Sequence, residues 1–494
     1  MGLLGDQAWK LLDGSEAVDN PRVSQLREAA KHYSVPNTEG VLTFHSKTTA
    51  RSPDATIDNV NVSTEEVKEG IQKELDALRE YVKGRKFYVL DRSVAMSRRF
   101  SLKVKAMVST KYPHLALMFA LNYFPAQEDA TAEVLTIDIP EWPRKRIYVD
   151  PEDRVNIILG TDYYGELKMS ALRLAMNSAR SNGNMLGVHA GSKLYHLRID
   201  GELRDRGILI FGLSGTGKST VAMASHDLQP PEKATVRQDD IVILDKNAYA
   251  SGTEMNFYPK TDSAEEIPAL RKAVRHPEAI LENVAVRDGH LDFNDTQFCP
   301  NARAIGIREA MEVADGRVDL PRVDALLFLM RRVDYPVASR LVSPEQAVAY
   351  YMLGESIRTA AEAGGKGEPI RVIGFDPFII EPKSRNGQIL LEILKVNPKV
   401  QAFVLNTGHV GGSKIPPSLT LSAVLGIVTE RIRWSYSEDL RVDVAGEIGG
   451  TSPSDYDPSR VFGGDYARRL ESLRSERRAY LQRFPGFDAV ADAV

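Results

Sequence analysis

The sequence predicts an α/β protein, and three observations support that fold class. The chain has 494 residues, which is long enough for two domains with separate cores or for one large domain with insertions. Segments with strand-like and helix-like apolar spacing are mixed along its length. An apolar run at residues 208–210 is typical of a buried strand, and it leads through a glycine-rich loop into a segment at 221–224 that is typical of a helix.

The N-terminal part of the chain predicts short strands between two helices. Residues 13–62 are polar and broken by prolines, so we expect loops with short elements there. Residues 65–83 carry apolar side chains at helical spacing with charges on the other face, which predicts an amphipathic helix. The remaining segments predict strands at 87–90, 134–137, 147–149 and 155–159, and a helix at 168–180.

Beyond residue 207, strands and helices are mixed around the glycine-rich loop. Apolar runs predict strands at 241–244, 325–329 and 402–405. Longer periodic segments predict helices at 344–363 and 462–482, and the glycines of 364–367 predict a flexible loop.

Composition excludes several classes of protein. Apolar residues make up 43% and charged residues 26%, an ordinary globular balance. A net charge of −4 argues against a nucleic-acid partner, because it leaves no excess of basic charge. The single cysteine, Cys299, cannot form an intrachain disulfide and is best explained as a small buried hydrophobe. No run of 18 apolar residues occurs, so we expect no membrane partner and a soluble, cytoplasmic protein.

The glycine-rich loop has the pattern of a phosphate-binding loop. It consists of Gly212, Leu213, Ser214, Gly215, Thr216, Gly217, Lys218, Ser219 and Thr220. Its glycines let backbone N–H groups converge on an anion, and the helix N-terminus adds partial positive charge. Lys218 would supply a charge to the β and γ phosphates, and the Ser219 hydroxyl would supply a ligand to Mg²⁺. We therefore predict a nucleoside triphosphate as a ligand.

Two acidic residues follow the loop by about twenty positions. Asp239 and Asp240 stand directly before the predicted strand at 241–244. Adjacent carboxylates raise each other's pKa unless a cation neutralises them, and a divalent metal that accompanies a triphosphate would do so. A solvated acidic turn is the alternative.

Further segments occur in an order that resembles one family. They are residues 50–53 (Ala-Arg-Ser-Pro), 163–169 (Tyr-Tyr-Gly-Glu-Leu-Lys-Met), 187–190, 254–260, 281–284, 300–303 and 405–408. In this order, over about residues 40–480, the chain resembles ATP-dependent phosphoenolpyruvate carboxykinases, whose phosphate loop differs here only at Ser219. The resemblance implies two α/β domains with the active site in the cleft between them. We place them at residues 1–195 (substrate side) and 196–494 (phosphate loop and nucleotide).

The same resemblance implies roles for side chains that handle the acceptor and the phosphoryl group. Arg51 would hold the carboxylate or phosphate of the substrate, and Tyr163 would lie in the substrate pocket. Lys260 and Arg303 would join Lys218 in clamping the transferred phosphoryl group. Such a clamp suits phosphoryl transfer, which depends on positioning and charge neutralisation.

The resemblance also implies a metal site, in part altered. His189 and the pair Asp239 and Asp240 match the metal-binding positions of the family, with Asp240 as the direct ligand. A lysine that binds Mn²⁺ in the family is replaced by Met169, whose thioether is a poor partner for hard cations. Lys168 is adjacent, but on a helix its side chain would leave the axis about 100° away.

These departures leave three functions open. The first is a carboxykinase that interconverts oxaloacetate and phosphoenolpyruvate with ATP, Mg²⁺ and, as an alternative metal, Mn²⁺. The second is a kinase that uses the same clamp on the hydroxyl of another small molecule or protein. The third is a regulatory module that binds nucleotide without turnover. The base-binding arginine and threonine of the family are missing, so the sequence leaves ATP and GTP both open.

Overall fold

A computed structural model describes residues 2–126, 134–262, 264–357 and 368–494. The α-helices are α1 (Gly5–Asp13), α2 (Val23–Lys31), α3 (Glu65–Val82), α4 (Pro113–Asn122), α5 (Tyr164–Gly183), α6 (Lys218–Met223), α7 (Pro268–Val274), α8 (Pro344–Leu353), α9 (Ser384–Val396), α10 (Pro417–Val428), α11 (Pro458–Phe462), α12 (Tyr466–Leu481) and α13 (Asp488–Asp492). Short 3-10 helices lie at Pro53–Ala55, Val60–Val62, Arg308–Ala310, Ile373–Phe375, Pro453–Tyr456 and Gly463–Asp465.

Strands alternate with these helices along the chain. They are β1 (Glu16–Asp19), β2 (Leu42–Phe44), β3 (Thr56–Ile57), β4 (Lys86–Val94), β5 (Leu102–Ser109), β6 (Phe124–Pro125), β7 (Val134–Ile139), β8 (Arg146–Asp150), β9 (Val155–Leu159), β10 (Leu186–Ile199), β11 (Glu202–Phe211), β12 (Lys233–Gln238), β13 (Ile241–Leu244), β14 (Ala250–Gly252), β15 (Ile280–Glu282), β16 (Ala285–Arg287), β17 (His290–Asp292), β18 (Arg303–Ile305), β19 (Ala325–Met330), β20 (Ala338–Arg340), β21 (Glu355–Ile357), β22 (Pro369–Arg371), β23 (Gln401–Asn406), β24 (His409–Val410), β25 (Ser413–Lys414), β26 (Trp434–Ser437) and β27 (Val442–Ala445). The fold class is therefore α/β, as the sequence predicted.

The chain forms two compact units, and each is assembled from separate segments. The first unit contains Met1–Ser181, Ser251–Glu312 and Phe378–Glu381. The second contains Asn182–Ala250, Val313–Pro377 and Pro382–Val494. The boundary between residues 195 and 196, which was drawn from the substrate and nucleotide roles of the two parts, stays a prediction.

The first unit is built on a mixed sheet covered by amphipathic helices. Its strand order is β1-β4-β5-β7-β9-β8-β3, and β6 also pairs with β4. Helix α3 confirms the predicted helix at 65–83, because its spacing buries Ile71, Leu75 and Leu78 in the same apolar cluster as strands β7 and β9. Fully burying one such leucine contributes about 1.5–3 kcal/mol to the free energy of unfolding. The helix begins at Thr64, whose hydroxyl accepts the Val67 amide at 3.4 Å.

A second mixed sheet forms the centre of the second unit. It includes the strand order β13-β10-β11-β19-β23-β20-β27-β26, and β12 also pairs with β10. Strands β11, β19 and β23 are parallel neighbours that end at Phe211, Met330 and Asn406. Since parallel strands present their carboxyl ends to one edge, the loop after Phe211 lies where open α/β sheets form their ligand sites.

Two of the predicted helices are shorter in the structure. The predicted helix at 344–363 ends at Leu353, because Gly354 adopts φ +45° and a Cβ there would lie 1.7 Å from the Val372 carbonyl oxygen. Strand β21 follows at once, and residues 358–363 of that prediction, like the loop at 364–367, lie outside the described residues. The predicted helix at 462–482 is interrupted at Gly463, after which α12 begins at Tyr466.

Helix α5 is longer than predicted, since it begins at Tyr164 rather than near Lys168. The region 13–62 contains short elements as expected, and helix α2 is the longest of them. Cys299 is buried, as predicted. None of the helices in the described part of the chain has the length and apolar character needed to cross a membrane.

Candidate active site

The phosphate-loop backbone requires glycine at particular positions. Gly215 has φ +76° and Gly217 has φ +90°, a region that residues with a Cβ rarely adopt. At Gly212 a Cβ would lie 2.3 Å from the Thr216 hydroxyl oxygen. That hydroxyl donates to the Leu213 carbonyl oxygen at 2.8 Å and closes the turn. Gly217 then caps α6, so Lys218 and Ser219 occupy the first turn of the helix.

A second contact supports the loop from a neighbouring strand. The Thr407 hydroxyl donates to the Thr216 carbonyl oxygen at 2.7 Å. Thr407 directly follows β23, and the adjacent Asn406 is buried and hydrogen-bonded to the backbone of Arg332 and Tyr335. The Asn-Thr-Gly segment at 406–408 therefore helps to fix the backbone conformation of the phosphate loop.

Three of the predicted site residues meet beside the phosphate loop. The Lys218 ammonium lies 2.7 Å from His189 Nε2 and 3.9 Å from Asp240 Oδ1. His189 Nε2 and Asp240 Oδ1 are 2.9 Å apart. All three side chains are partly exposed, between 14% and 26%, which leaves them accessible to a ligand. Asp239 lies next to them, between β12 and β13, and is also partly exposed.

The contacts of His189 orient its ring. Its Nδ1 lies 2.7 Å from the Phe375 carbonyl oxygen, which can only accept, so Nδ1 carries the proton. Nε2 faces the Lys218 ammonium and the carboxylate of Asp240. A carbonyl oxygen that accepts from the other ring nitrogen is the usual support for a histidine that binds a metal.

This donor set fits a divalent cation. One imidazole nitrogen and one carboxylate oxygen converge, and both favour a positive charge between them. Among the described residues, no group of three or more His, Cys, Asp and Glu side chains is arranged to hold a metal. The remaining ligands would therefore come from the Ser219 hydroxyl, phosphate oxygens and water, as hard cations bound with nucleotides prefer.

In the first unit, the side chain of Asn301 is hydrogen-bonded to three segments that carry or lead to predicted site residues. Its amide nitrogen donates to the Tyr163 hydroxyl at 3.0 Å and to the Thr49 carbonyl oxygen at 2.7 Å. Its amide oxygen accepts from Arg303 Nε at 3.1 Å. Tyr163 and Arg303 are thus oriented by one side chain, which also holds the loop that leads to Arg51.

The loop before Arg51 is anchored at two further points. The Asp162 carboxylate accepts the backbone amides of Lys47 and Thr48 at 2.9 and 3.0 Å. Asn283 accepts the Ser46 amide at 2.8 Å. The Arg51 guanidinium lies 3.1 Å from the Asp58 carboxylate and 5.1 Å from the centre of the Phe378 ring.

Lys260 and Arg303 are neighbours across a short antiparallel bridge. Lys260 Nζ lies 3.5 Å from the Pro300 carbonyl oxygen. Arg303 also approaches the Tyr258 carbonyl oxygen at 3.4 Å. The structure therefore places these two predicted cations side by side in the first unit.

A buried carboxyl group, that of Glu282, lies on the strand that pairs with the strand of Arg303. Glu282 accepts a hydrogen bond from the Tyr258 hydroxyl through one oxygen and from the Tyr164 amide, at 2.7 Å, through the other. Burial raises the pKa of Glu282 to about 7, an effect that these hydrogen bonds and Arg303 only partly offset. Register pairs Glu282 directly with Arg303 across strands β15 and β18.

The substituted position, Met169, is buried on α5 beside an ion pair. Lys168 Nζ lies 3.2 Å from Glu254 Oε1, and both side chains are almost fully buried. The Asn122 amide donates to the same carboxylate oxygen at 2.6 Å. Although Lys168 and Met169 leave the helix in different directions, the long lysine stem brings Nζ to 4.0 Å from the methionine sulfur.

The structure adds positioning roles that the sequence did not assign. Asn301, Asp162 and Glu282 position predicted site residues without themselves being predicted. Asn301 stands two residues before Arg303, and Asp162 directly precedes Tyr163, so closeness in sequence was the available signal. Glu282 lies in the segment 281–284, but its partners are distant along the chain, so the sequence assigned it no role.

Comparison with known proteins gives a consistent result. A sequence model of the family described as phosphoenolpyruvate carboxykinase matches residues 15–443. The phosphoenolpyruvate carboxykinase (ATP) of Aeropyrum pernix is 44% identical over 490 residues, covering 99% of this chain and 98% of that protein. The phosphoenolpyruvate carboxykinase (ATP) of Alkaliphilus oremlandii is 23% identical over 451 residues, covering 84% of this chain and 80% of that protein. A protein of Salinibacter ruber named phosphoenolpyruvate carboxykinase (ATP) 2 is 26% identical over 66% of this chain and 62% of its own length.

Proposed function

Because the chain belongs to the phosphoenolpyruvate carboxykinase family, we propose that it converts oxaloacetate and ATP into phosphoenolpyruvate, ADP and CO₂. The observation that carries the proposal is the cluster of Lys218, His189 and Asp240 at the phosphate loop, in a chain similar along its whole length to an ATP-dependent member. The first of the three functions left open is thus supported over the other two.

The phosphate loop and its neighbours, which we call the nucleotide set, handle the triphosphate. Residues Gly212 to Thr220 wrap the phosphates with backbone amides, and Lys218 neutralises the phosphate that is transferred. His189, Asp240 and Ser219 would hold a divalent cation, with Asp239 adding negative charge beside them. Mg²⁺ or Mn²⁺, when bound there, would neutralise phosphate charge and fix the geometry of the triphosphate.

Arg51, Tyr163, Lys260 and Arg303, which we call the acceptor set, handle the anionic small molecule. A guanidinium binds a carboxylate or phosphate through two parallel hydrogen bonds, so Arg51 and Arg303 are suited to oxaloacetate and phosphoenolpyruvate. Lys260 adds a third cation close to Arg303, and both would also clamp the transferred phosphoryl group. The buried Tyr163 hydroxyl, held by Asn301, is a neutral donor against the substrate.

The proposal predicts that Lys218→Ala abolishes phosphoryl transfer. We expect kcat to fall roughly 10³-fold, because the charge that neutralises the transferred group is lost. The assay is bicarbonate-dependent consumption of phosphoenolpyruvate with ADP and Mn²⁺. Lys246→Ala, an exposed lysine of the same unit, is the matched control and should keep parent activity. Parent-like turnover in Lys218→Ala, or no carboxykinase activity in the parent protein, would contradict the proposal.

A further inference from the structure

A fully buried lysine lies behind the phosphate loop. Lys193 is on strand β10 and has no exposed surface. Its ammonium donates to the Val221 carbonyl oxygen at 3.0 Å and to the Ala224 carbonyl oxygen. These two carbonyls belong to the end of α6, the helix whose first turn carries Lys218 and Ser219.

The ammonium of Lys193 lies where a positive charge stabilises a helix, at the C-terminal end of α6. The last carbonyls of a helix have no partner within the helix, and its C-terminus carries partial negative charge. Helix α6 has only six residues, so its own hydrogen bonds do little to fix its position. An ammonium bound to the carbonyl oxygens at its C-terminal end therefore helps to fix the position of the whole helix.

A neighbouring side chain of β10 holds the next part of the chain. The Tyr195 hydroxyl lies 2.9 Å from His226 Nε2, and Tyr195 is fully buried. Residues 193 and 195 are two apart on a strand and so lie on the same face. That face of β10 fixes the segment from Val221 to His226 at three points.

Burying a charged amine such as that of Lys193 costs free energy. We therefore expect the amine to have a role in the fold or at the site. Among the described residues, its ammonium forms no ion pair, and backbone carbonyl oxygens are its acceptors. Burial lowers the pKa of Lys193 to about 7. A methionine would fill similar space without this cost, so the amine has a use beyond packing.

We propose that Lys193 is a positioning residue for nucleotide binding, which sets the placement of α6 and through it that of Lys218 and Ser219. The proposal rests on the assignment of residues 212–220 as the nucleotide site. Its effect is specific to the triphosphate, because the partners of Lys193 are in the phosphate-loop segment while the acceptor set is carried by other segments.

The test measures binding rather than turnover, with the full chain. We expect Lys193→Met to weaken binding of a fluorescent ATP analogue with Mg²⁺ about tenfold or more, as for loss of hydrogen bonds from a charged donor. Binding of phosphoenolpyruvate with Mn²⁺ should stay within about twofold. Lys193→Gln, which keeps amide donors, should fall between parent and Lys193→Met. Lys233→Met, an exposed lysine on the adjacent strand β12, should match the parent.

Unchanged nucleotide affinity in folded Lys193→Met, or an equal loss for nucleotide and phosphoenolpyruvate, would overturn the proposal. If Lys193→Met does not fold, Lys193→Gln decides, since parent-like nucleotide affinity in that variant overturns it and a selective loss supports it. Failure of the carboxykinase assignment would be visible separately, because the parent would then bind nucleotide without consuming phosphoenolpyruvate.

Discussion

Met169 is the residue at which this chain departs most clearly from the carboxykinase pattern. Its thioether cannot replace an amine toward Mn²⁺, and the adjacent Lys168 is engaged with Glu254. Lys168 Nζ lies close enough to the sulfur that a positive charge already occupies this neighbourhood.

We predict that Met169→Lys raises Mn²⁺-dependent carboxykinase activity, because it supplies the missing amine ligand. The activation constant for Mn²⁺ should fall severalfold, in line with the effect of one metal ligand or its support. Met176→Lys, on the same helix and nearly as buried, is the matched control, since it adds the same charge two turns away. Identical Mn²⁺ titrations of Met169→Lys and parent would contradict this interpretation of position 169.

Glu282 predicts a pH effect on stability. Its pKa is raised from 4.5 to about 7 in the fold, so its contribution is fully present below pH 4.5 and is lost as the pH rises through 7. Relative to Glu282→Gln, the parent should therefore lose free energy of unfolding between pH 5 and 8, by up to about 3 kcal/mol. Urea unfolding at both pH values measures the difference.

The exposed Glu69→Gln in α3 of the same unit controls for general charge effects and should show no such difference. A constant gap between parent and Glu282→Gln across this range would mean that Glu282 keeps one charge state throughout.

At the scale of elements, a buried ion pair ties helix α12 to strand β21 in the second unit. Arg477 Nε donates to Glu355 Oε1 at 2.9 Å, and each side chain is about 5% exposed or less. Arg477 Nη1 also donates to the Tyr350 hydroxyl of α8 at 3.1 Å. Burial would raise the pKa of Glu355, but Arg477 and Arg332 outweigh it and lower that pKa to about 2.

We predict that Arg477→Met destabilises the second unit by about 3–5 kcal/mol, because it removes the hydrogen-bonded partner of a buried carboxylate. The adjacent Arg478→Met removes an exposed pair with Asp492 and should cost less than about 1 kcal/mol. A lowered pKa gives stability above pH 4.5 that is lost as the pH falls toward 2, so the parent and Arg478→Met should show this acid dependence more strongly than Arg477→Met. Equal urea midpoints for the two variants would contradict the prediction.

At the scale of the whole molecule, nucleotide and metal should act together on stability. Any ligand that binds only the folded state stabilises it, by about 2.7 kcal/mol at a concentration of 100 times Kd. We predict that ATP with Mg²⁺ raises Tm by several degrees in a thermal shift experiment. Chelation of the metal with EDTA should remove most of the shift, because His189 and Asp240 then face an uncompensated triphosphate.

Lys218→Ala should show little shift with or without metal. A shift of equal size in Lys218→Ala and parent would place the nucleotide elsewhere on the chain.

The sequence predicted those features whose cause is local in the chain. The phosphate loop follows from contiguous residues, and helix α3 follows from its own apolar spacing. The strands that carry the loop, β11, β19 and β23, were identifiable from short apolar runs. Family resemblance predicted Arg51, Tyr163, Lys260, Arg303, His189 and Asp240 as site residues, and their roles stay predictions.

What the sequence alone determined is therefore the chemistry that this protein carries, a glycine-rich loop with its lysine and hydroxyl. The wide φ range open to glycine and the chemistry of a side chain are properties of single residues. Tertiary structure alone decided which groups meet. The cluster of Lys218, His189 and Asp240, the contacts of Asn301 with Thr49 and Tyr163, and the hydrogen bonds of Lys193 to the end of α6 join residues that are distant along the chain. Hydrogen bonds between such segments depend on how strands are ordered in a sheet, and no local pattern encodes that order.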